Sequence, residues 1–538
     1  MHENIAGGEP SGKVIVTDVA GELPPHSTRH NTHHSLATDH LLHDLKQRTV
    51  SSGAVTIFSQ LGRFVLNFGG TVVLVRLLTP ADFGLTAMVA TVLGFARVFR
   101  DVGLSEATVQ REGITHAQVS NLFWINVAVS GSIFLGLSIS APLLAWFYKE
   151  PRLIGITIAM SSGILMSGLT AQHMALLKRQ MRFGVLAAID IVSTLCGLIS
   201  GVIFALLGYG YWSLIGLNVI TAVVALLMTW IASHWRPQYP TRQSGTRSLV
   251  RFGVNLTASG FIYSLARGSD GLMIGRYYGA EALGFYSRAT ALLTRPLEQF
   301  ISPIEAVFVP TLSRLQLEPA RCRRTFLSMY EAMALAGSIF TGLLLSLARP
   351  LTLVVLGPKW ESSSVIFAGF AAVAIFTPVC SACSWLIVSQ GRGRDSVIAS
   401  LIISFTTVAA FAAGMPFGVA SVAIFYSISG FVIQVPALFY ITGRSGPVRT
   451  KDLWVSMLWH LPVWGIVCSV AWLVRQRTLG EAAWIQLLAA GSAGLIAGLG
   501  FVCIWPRSRR VALNVIDMVR EALKSRSKKT QIQQGIQQ

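Results

Sequence analysis

Fourteen apolar stretches run through the sequence, near 54–77, 83–102, 119–147, 153–177, 184–207, 211–233, 252–275, 284–309, 325–348, 362–388, 396–415, 418–441, 455–474 and 482–505. A helix rising about 1.5 Å per residue needs about 20 residues to cross about 30 Å of hydrocarbon, and each stretch approaches or exceeds that length. Lipid offers backbone N–H and C=O groups no partner, so only helices or closed barrels span it, and continuous apolar runs exclude a barrel's alternating pattern. The expected fold class is all-α, a polytopic membrane protein of about 14 transmembrane helices. Composition agrees, with 12% charged residues and a mean hydropathy of +0.58, where soluble domains carry about 25% charged residues.

The net charge of +19 has no separate basic domain to hold nucleic acid, so no nucleic-acid partner is expected. It belongs instead to topology, since Lys and Arg accumulate in short cytoplasmic loops of bacterial membrane proteins. With the N-terminal tail cytoplasmic, the inside loops hold Arg111, Lys178, Arg179, Arg182, Arg236, Arg242, Arg247, Arg251, Arg314, Arg321, Arg323, Arg324, Arg392, Arg394, Arg444, Arg449 and Lys451. The outside loops hold only Arg76, Lys149, Arg152, Arg276, Arg349, Lys359, Arg475 and Arg477. A multi-pass membrane protein with both termini cytoplasmic is expected.

Residues 1–47 read as a polar, disordered tail with no signal-peptide core. Its histidines (His26, His30, His33, His34, His40, His43) are irregularly spaced, which suits adventitious metal binding. Residues 506–538 read as a basic cytoplasmic tail. Between them, Arg76-Leu-Leu followed by Gly84 recurs as Arg276-Tyr-Tyr followed by Gly284, an offset of 200 residues across six spans. This predicts two parallel six-helix lobes, 48–233 and 251–441, joined by a linker at 234–250 and followed by two extra helices at 442–505. Parallel repeats place a transporter's substrate between the lobes near the midplane.

A charge inside a span costs at least about 2.5–3.5 kcal/mol, so intramembrane charges are candidate functional residues. Candidates for substrate binding are Arg63, Arg97, Arg100, Arg267, Asp270, Arg288 and Arg295; Asp101 lies beside Arg100 at a helix end. Arg97 and Arg100, Arg295 and Glu298, and Arg288 and Arg295 share helix faces by spacing. A planar, permanently charged guanidinium suits phosphate, and an excess of arginine favours a diphosphate over a cationic cargo. Arg267 and Asp270 also fit as a mutually neutralising pair. Asp190, Glu298, Glu305 and Glu331 are candidates for ion coupling.

Pro296 and Pro303 should bend their helix. The pairs Gly197/Gly201 and Gly494/Gly498 read as close helix packing, and His173 as structural. Cys196, Cys322, Cys380, Cys383, Cys468 and Cys503 give no disulfide framework, and the single CxxC lacks a second ligand pair. No Gly-rich phosphate loop, dinucleotide fingerprint, zinc-protease motif or nucleophile elbow occurs, so no cofactor, metal or catalytic residue is expected.

The stretch from Asp44 to Arg111 resembles the start of bacterial Wzx-type polysaccharide exporters, the colanic-acid-exporter branch of the MOP superfamily. The resemblance is most specific at VRLLTPADFGLTAM and DVGLSEATVQ. It continues through WSLIGLNV near Trp212, the segment from Arg251 to Pro296, and PLTLVVLGPKW near Pro350. Lipid II flippases and MATE antiporters belong to the same superfamily. The resemblance implies a V-shaped, two-lobed flippase passing an undecaprenyl-pyrophosphate-linked oligosaccharide through a cationic cavity while the lipid tail stays in the bilayer. Arg63, Arg97 and Arg295 occupy helices similar to those bearing functional arginines in the lipid II branch. Expected partners are the lipid-linked oligosaccharide, membrane lipids, and a polysaccharide polymerase or export machinery. A MATE-like antiporter would want more acids than bases, a polymerase would want a large outside loop, and a scaffold would have no use for intramembrane charge.

Overall fold

The computed structural model describes residues 45–100, 108–109, 114–240, 247–514, 517 and 520, with backbone alone at 45–59, 61, 97–100, 247–267 and 300. The expected tails, apart from these, lie outside the described residues. No strand occurs among the described residues. In chain order the helices are α1 (Leu45–Leu77), α2 (Pro80–Arg100), α3 (His116–Tyr148), α4 (Leu153–Arg179), α5 (Phe183–Leu206), α6 (Trp212–Ser233) and α7 (Arg247–Arg314). They continue as α8 (Pro319–Ser346), α9 (Ala348–Val355), α10 (Glu361–Val373), α11 (Thr377–Ser389), α12 (Gly393–Gly414), α13 (Val419–Ser429), α14 (Val435–Gly443), α15 (Thr450–Leu458), α16 (Leu461–Arg477) and α17 (Ala483–Ile504).

The chain is a polytopic all-α membrane protein. Ten helical segments among the described residues are long and apolar enough to cross a bilayer. The other four expected stretches fall on α1, α2 and the two parts of α7, and a count of fourteen rests on these crossing as well. The 68-residue run of α7 is interrupted at Gly279 (φ 80°, ψ −173°), in a backbone region open essentially to glycine alone. That break falls between the seventh and eighth apolar stretches, while the helix continues through Pro296, Pro303 and Pro310.

Local chemistry sets the helix ends. Before α3, Thr115 Oγ accepts the Gln118 N–H (3.3 Å) and the Gln118 side chain accepts the Thr115 N–H (3.1 Å), satisfying two donors that a helix start leaves unpaired. At the end where α1 begins and α17 finishes, arginines tie loops together. Arg392 bonds Asp395 (2.7 Å) and the carbonyls of Ile441 and Ser445 (2.6 Å each). Arg444 also reaches Asp395, and Arg323 bonds Asp452 (2.8 Å).

Small residues let the helices close on one another. A Cβ on Gly197 would stand 1.9 Å from Thr221 Oγ1 and 2.7 Å from the Leu217 carbonyl of α6, and one on Gly201 would stand 3.1 Å from Leu217 Cβ. Gly494 and Gly498 of α17 likewise abut Ala471 and Val467 of α16. Water drives nothing together in lipid, so such close backbone approach supplies the dispersion contacts that hold helices side by side. His173 is buried, stacked on Trp230 (4.6 Å) and edge-on to Trp235 (5.0 Å). Gly197→Leu is expected to drive α5 off α6 and destabilise the protein by about 1–3 kcal/mol, read as a lowered midpoint of thermal unfolding in detergent.

Candidate functional site

The repeated motif meets itself in the fold. A Cβ on Gly84 of α2 would lie 1.6 Å from the Ala280 carbonyl oxygen, and one on Gly284 of α7 would lie 1.9 Å from the Pro80 carbonyl oxygen. The two contacts are reciprocal, since each glycine touches the residue four positions before the other. At the same end Trp360, fully buried, donates its indole N–H to the Val75 carbonyl (3.0 Å) and stands edge-on to Phe83 (5.4 Å) and Phe285 (5.8 Å). Arg76 donates to the Val354 carbonyl (2.7 Å). Helices α1–α2 and α7–α10 are thus fastened at one end of the molecule, called here the closed end. From there a seam runs inward between α2 and α7, with Gly275, Gly271 and Gly268 against Met88, Thr91 and Phe95.

Of the charged groups of the eighth span, Arg288 sits on this seam. Arg288 lies one turn past Gly284, and its guanidinium stacks over the Phe83 ring at 4.8 Å. Its Nε is buried without a hydrogen-bond partner, and no carboxylate among the described residues pairs with it. Arg295, two turns on along the same face, is largely exposed and approaches Glu298 at 3.7 Å. Asp270, across the Gly279 break, accepts the Tyr286 O–H (2.8 Å) and the Gly271 N–H (2.7 Å). The two parts of α7 therefore hold one guanidinium over Phe83 of α2, a second guanidinium exposed further along, and a hydrogen-bonded carboxylate across the break.

The remaining candidates are dispersed. Arg63 of α1 and Asp190 of α5 form an ion pair at 3.3 Å, both about half exposed. Glu305 is exposed. Glu331 lies elsewhere, 2.5 Å from Arg507 and accepting from Ser456 (2.9 Å), so it ties α8 to α15 and the segment after α17. Arg97, Arg100 and Arg267 have side chains outside the described residues, as does Asp101 altogether, so the expected Arg267–Asp270 pair falls there too. Sequence reasoning passed over Phe83, Tyr286 and Trp360, although each falls within a quoted motif. No group of three or more His, Cys, Asp or Glu side chains suited to a metal occurs among the described residues.

A family model described as polysaccharide biosynthesis protein matches residues 73–365, more than half of the chain. The chain is 26% identical over 312 residues to the teichuronic acid biosynthesis protein TuaB of Bacillus subtilis, a match covering 55% of this chain and 62% of that protein, less than two thirds of its length. It is 28% identical over 359 residues to the succinoglycan biosynthesis transport protein ExoT of Rhizobium meliloti, covering 65% and 72%. Among solved structures it is similar to the lipid II flippase MurJ in an inward closed conformation, with a TM-score of 0.65 and 14% identity over 85% of this chain and 99% of that one. That likeness shows the fold.

Gly84→Val is expected to part α2 from α7, because the added atoms would overlap the Ala280 carbonyl. With the other cysteines replaced by serine, a cysteine at Ser363, whose hydroxyl bonds the Phe285 carbonyl, should react severalfold faster with a membrane-impermeant maleimide when Val occupies position 84. An unchanged rate would mean that the glycine contact does not hold this end shut.

Proposed function

This chain belongs to the polysaccharide biosynthesis protein family, and on that premise we propose that it is a flippase for lipid-linked oligosaccharide. Its cargo is an undecaprenyl-pyrophosphate-linked repeat unit for exopolysaccharide or O-antigen, moved across the bacterial inner membrane with no covalent bond made or broken. The termini are cytoplasmic, the closed end faces outward, and the lobes α1–α6 and α7–α14 alternate between closure at that end and closure at the other. The two spans beyond α14, one made of α15 and α16 and the other of α17, flank the second lobe.

The observation that carries this reading is Arg288. A guanidinium held in the interior of a membrane protein without a carboxylate partner is expensive, and its retention is accounted for if a travelling diphosphate completes it. Arginine's fork binds phosphate oxygens bidentately, and such charge-assisted bonds are about twice as strong as neutral ones. Arg295 lies further along the same face, so a diphosphate leaving one guanidinium meets the next. Arg63, Arg97, Arg100, Arg267 and Asp270 are assigned to the same cationic path, with the Arg63–Asp190 pair a switchable contact. Coupling to an ion gradient falls to Asp190, Glu298 and Glu305. Glu331, tied to Arg507, suits an anchoring role better than the coupling role expected of it. A polymerase or export complex would take up the product on the far side.

The test is a deletion strain complemented with Arg288→Ala, Arg295→Ala or Arg288→Lys. Removing a charged hydrogen bond worth about 1.5–3 kcal/mol should reduce export roughly ten- to a hundredfold at normal protein level. Lipid-linked repeat units should accumulate on the cytoplasmic leaflet, and Lys, with its charge but no fork, should restore export in part. Accumulation on the outer leaflet would point to a polymerase and overturn the reading. Unchanged polymer in both alanine variants would remove the arginine path.

A further inference from the structure

Beside the closed end, and outside the α2–α7 seam, a cavity of about 740 Å³ opens between the α3–α4 turn and the tip of the first part of α7. Its walls are Trp146, Phe147, Pro151 and Ile154, and its charges are Lys149 and Arg276. Both cations lie at helix ends on the side where the charge bias of this sequence makes them uncommon, so each calls for a local reason.

Among the described residues neither cation has an ion-pair partner. Arg276 lies with its guanidinium 5.9 Å from the Phe147 ring centroid and forms no ion pair among the described residues. Its neighbours at this end differ: Arg152 grips Glu150 with two bonds (2.8 and 2.9 Å), holding that carboxyl below its usual pKa, and Arg349 bonds Glu361 (2.7 Å). Lys149 caps α3 in the left-handed region (φ 59°, ψ 38°), its N–H bonded to the Ala145 and Trp146 carbonyls. Glycine is the inexpensive residue at such a cap, and a lysine accepted there in spite of the strain points to use of its charge. Trp146 and Tyr277 are about three-quarters exposed, as amphipathic rings are at headgroup depth.

We propose that this cavity holds an anionic membrane phospholipid, with its phosphate between Arg276 and Lys149 and its acyl chains along Trp146 and Ile154. Two cations above apolar walls match a phosphate above hydrocarbon, and the volume suits one small ligand headgroup. The cavity lies on the flank of α3 and α4, away from Arg288, so its occupant is a resident lipid and not the cargo. Arg276 stands one turn before Ala280, the residue that Gly84 touches. A phosphate bridging Arg276 to Lys149 therefore clamps α7 to α3 beside that contact and favours the closed end.

The experiment is native mass spectrometry of the delipidated full-length protein titrated with phosphatidylglycerol or phosphatidylcholine. At about 1 kcal/mol per basic residue near a membrane phosphate, a Lys149→Gln/Arg276→Gln double variant should lose phosphatidylglycerol affinity at least about tenfold. An unfolding midpoint matching the wild type would show that the double variant is folded. Arg276→Lys should retain most of the binding, and Arg477→Gln, an exposed cation on another loop of the same end, should retain all of it. Equal phosphatidylglycerol binding by wild type and double variant would overturn the site, as would phosphatidylcholine binding as tightly as phosphatidylglycerol. Displacement of phosphatidylglycerol by an equimolar polyprenyl diphosphate would assign the cavity to the cargo and overturn the resident lipid, leaving the Arg288 reading untouched.

Discussion

Hydrocarbon cannot solvate a charge, and that constraint sorts the ionisable residues of this chain. Several find a protein partner: Arg63 takes Asp190, Arg295 takes Glu298, Glu331 takes Arg507, and Arg392 with Arg444 shares Asp395. The pairs offset part of the cost of leaving water, and those of Arg63 with Asp190 and Glu331 with Arg507 join separate segments. Among the described residues Arg288 has the Phe83 face alone, and a cation over a ring recovers about 0.5–2 kcal/mol, less than burial costs. A chain that retains such a group in its interior either tolerates a defect or awaits an anion. The second alternative gives the group a use.

The closed end obeys a different constraint. Two helices can bring backbone against backbone only where no side chain intervenes, and the repeated glycines at positions 84 and 284 remove it from both sides. The contact carries no charge and little hydrophobic drive, so its strength is dispersion across a short gap, lost almost entirely once the gap widens. Trp360 and Arg76 add hydrogen bonds to carbonyls at the same place. A fastening built from short-range contacts is either made or absent, which suits an element with two positions better than one that bends by degrees.

Long apolar runs fix the helices, because length against bilayer thickness has few solutions, and the 200-residue echo of Arg76 and Gly84 at Arg276 and Gly284 was visible in the sequence. Its meaning was not. Nothing in a sequence says that two copies of a motif face one another, and only the fold shows that Gly84 meets Ala280. Trp360 was legible as part of a family signature but not as the wedge between Phe83 and Phe285, since its partners lie 277 and 75 residues away. Spacing correctly placed Arg288 and Arg295 on one face, because the helix period fixes that locally. It could not separate Glu331 from the other span carboxylates, because its partner Arg507 lies 176 residues further on.

Helix α7 joins these two constraints. The break at Gly279, the contacts at Ala280 and Gly284, and the guanidiniums of Arg288 and Arg295 follow one another within five turns of a single element. A rigid helix cannot move its glycine edge away from α2 without also moving Arg288 from Phe83. The energy of parting the closed end and the electrostatic setting of the half-buried arginine are therefore one quantity read at two places. An anion that draws Arg288 from the ring loosens the same seam that the glycines hold. By reciprocity, any clamp on the tip of α7 raises the work of admitting that anion.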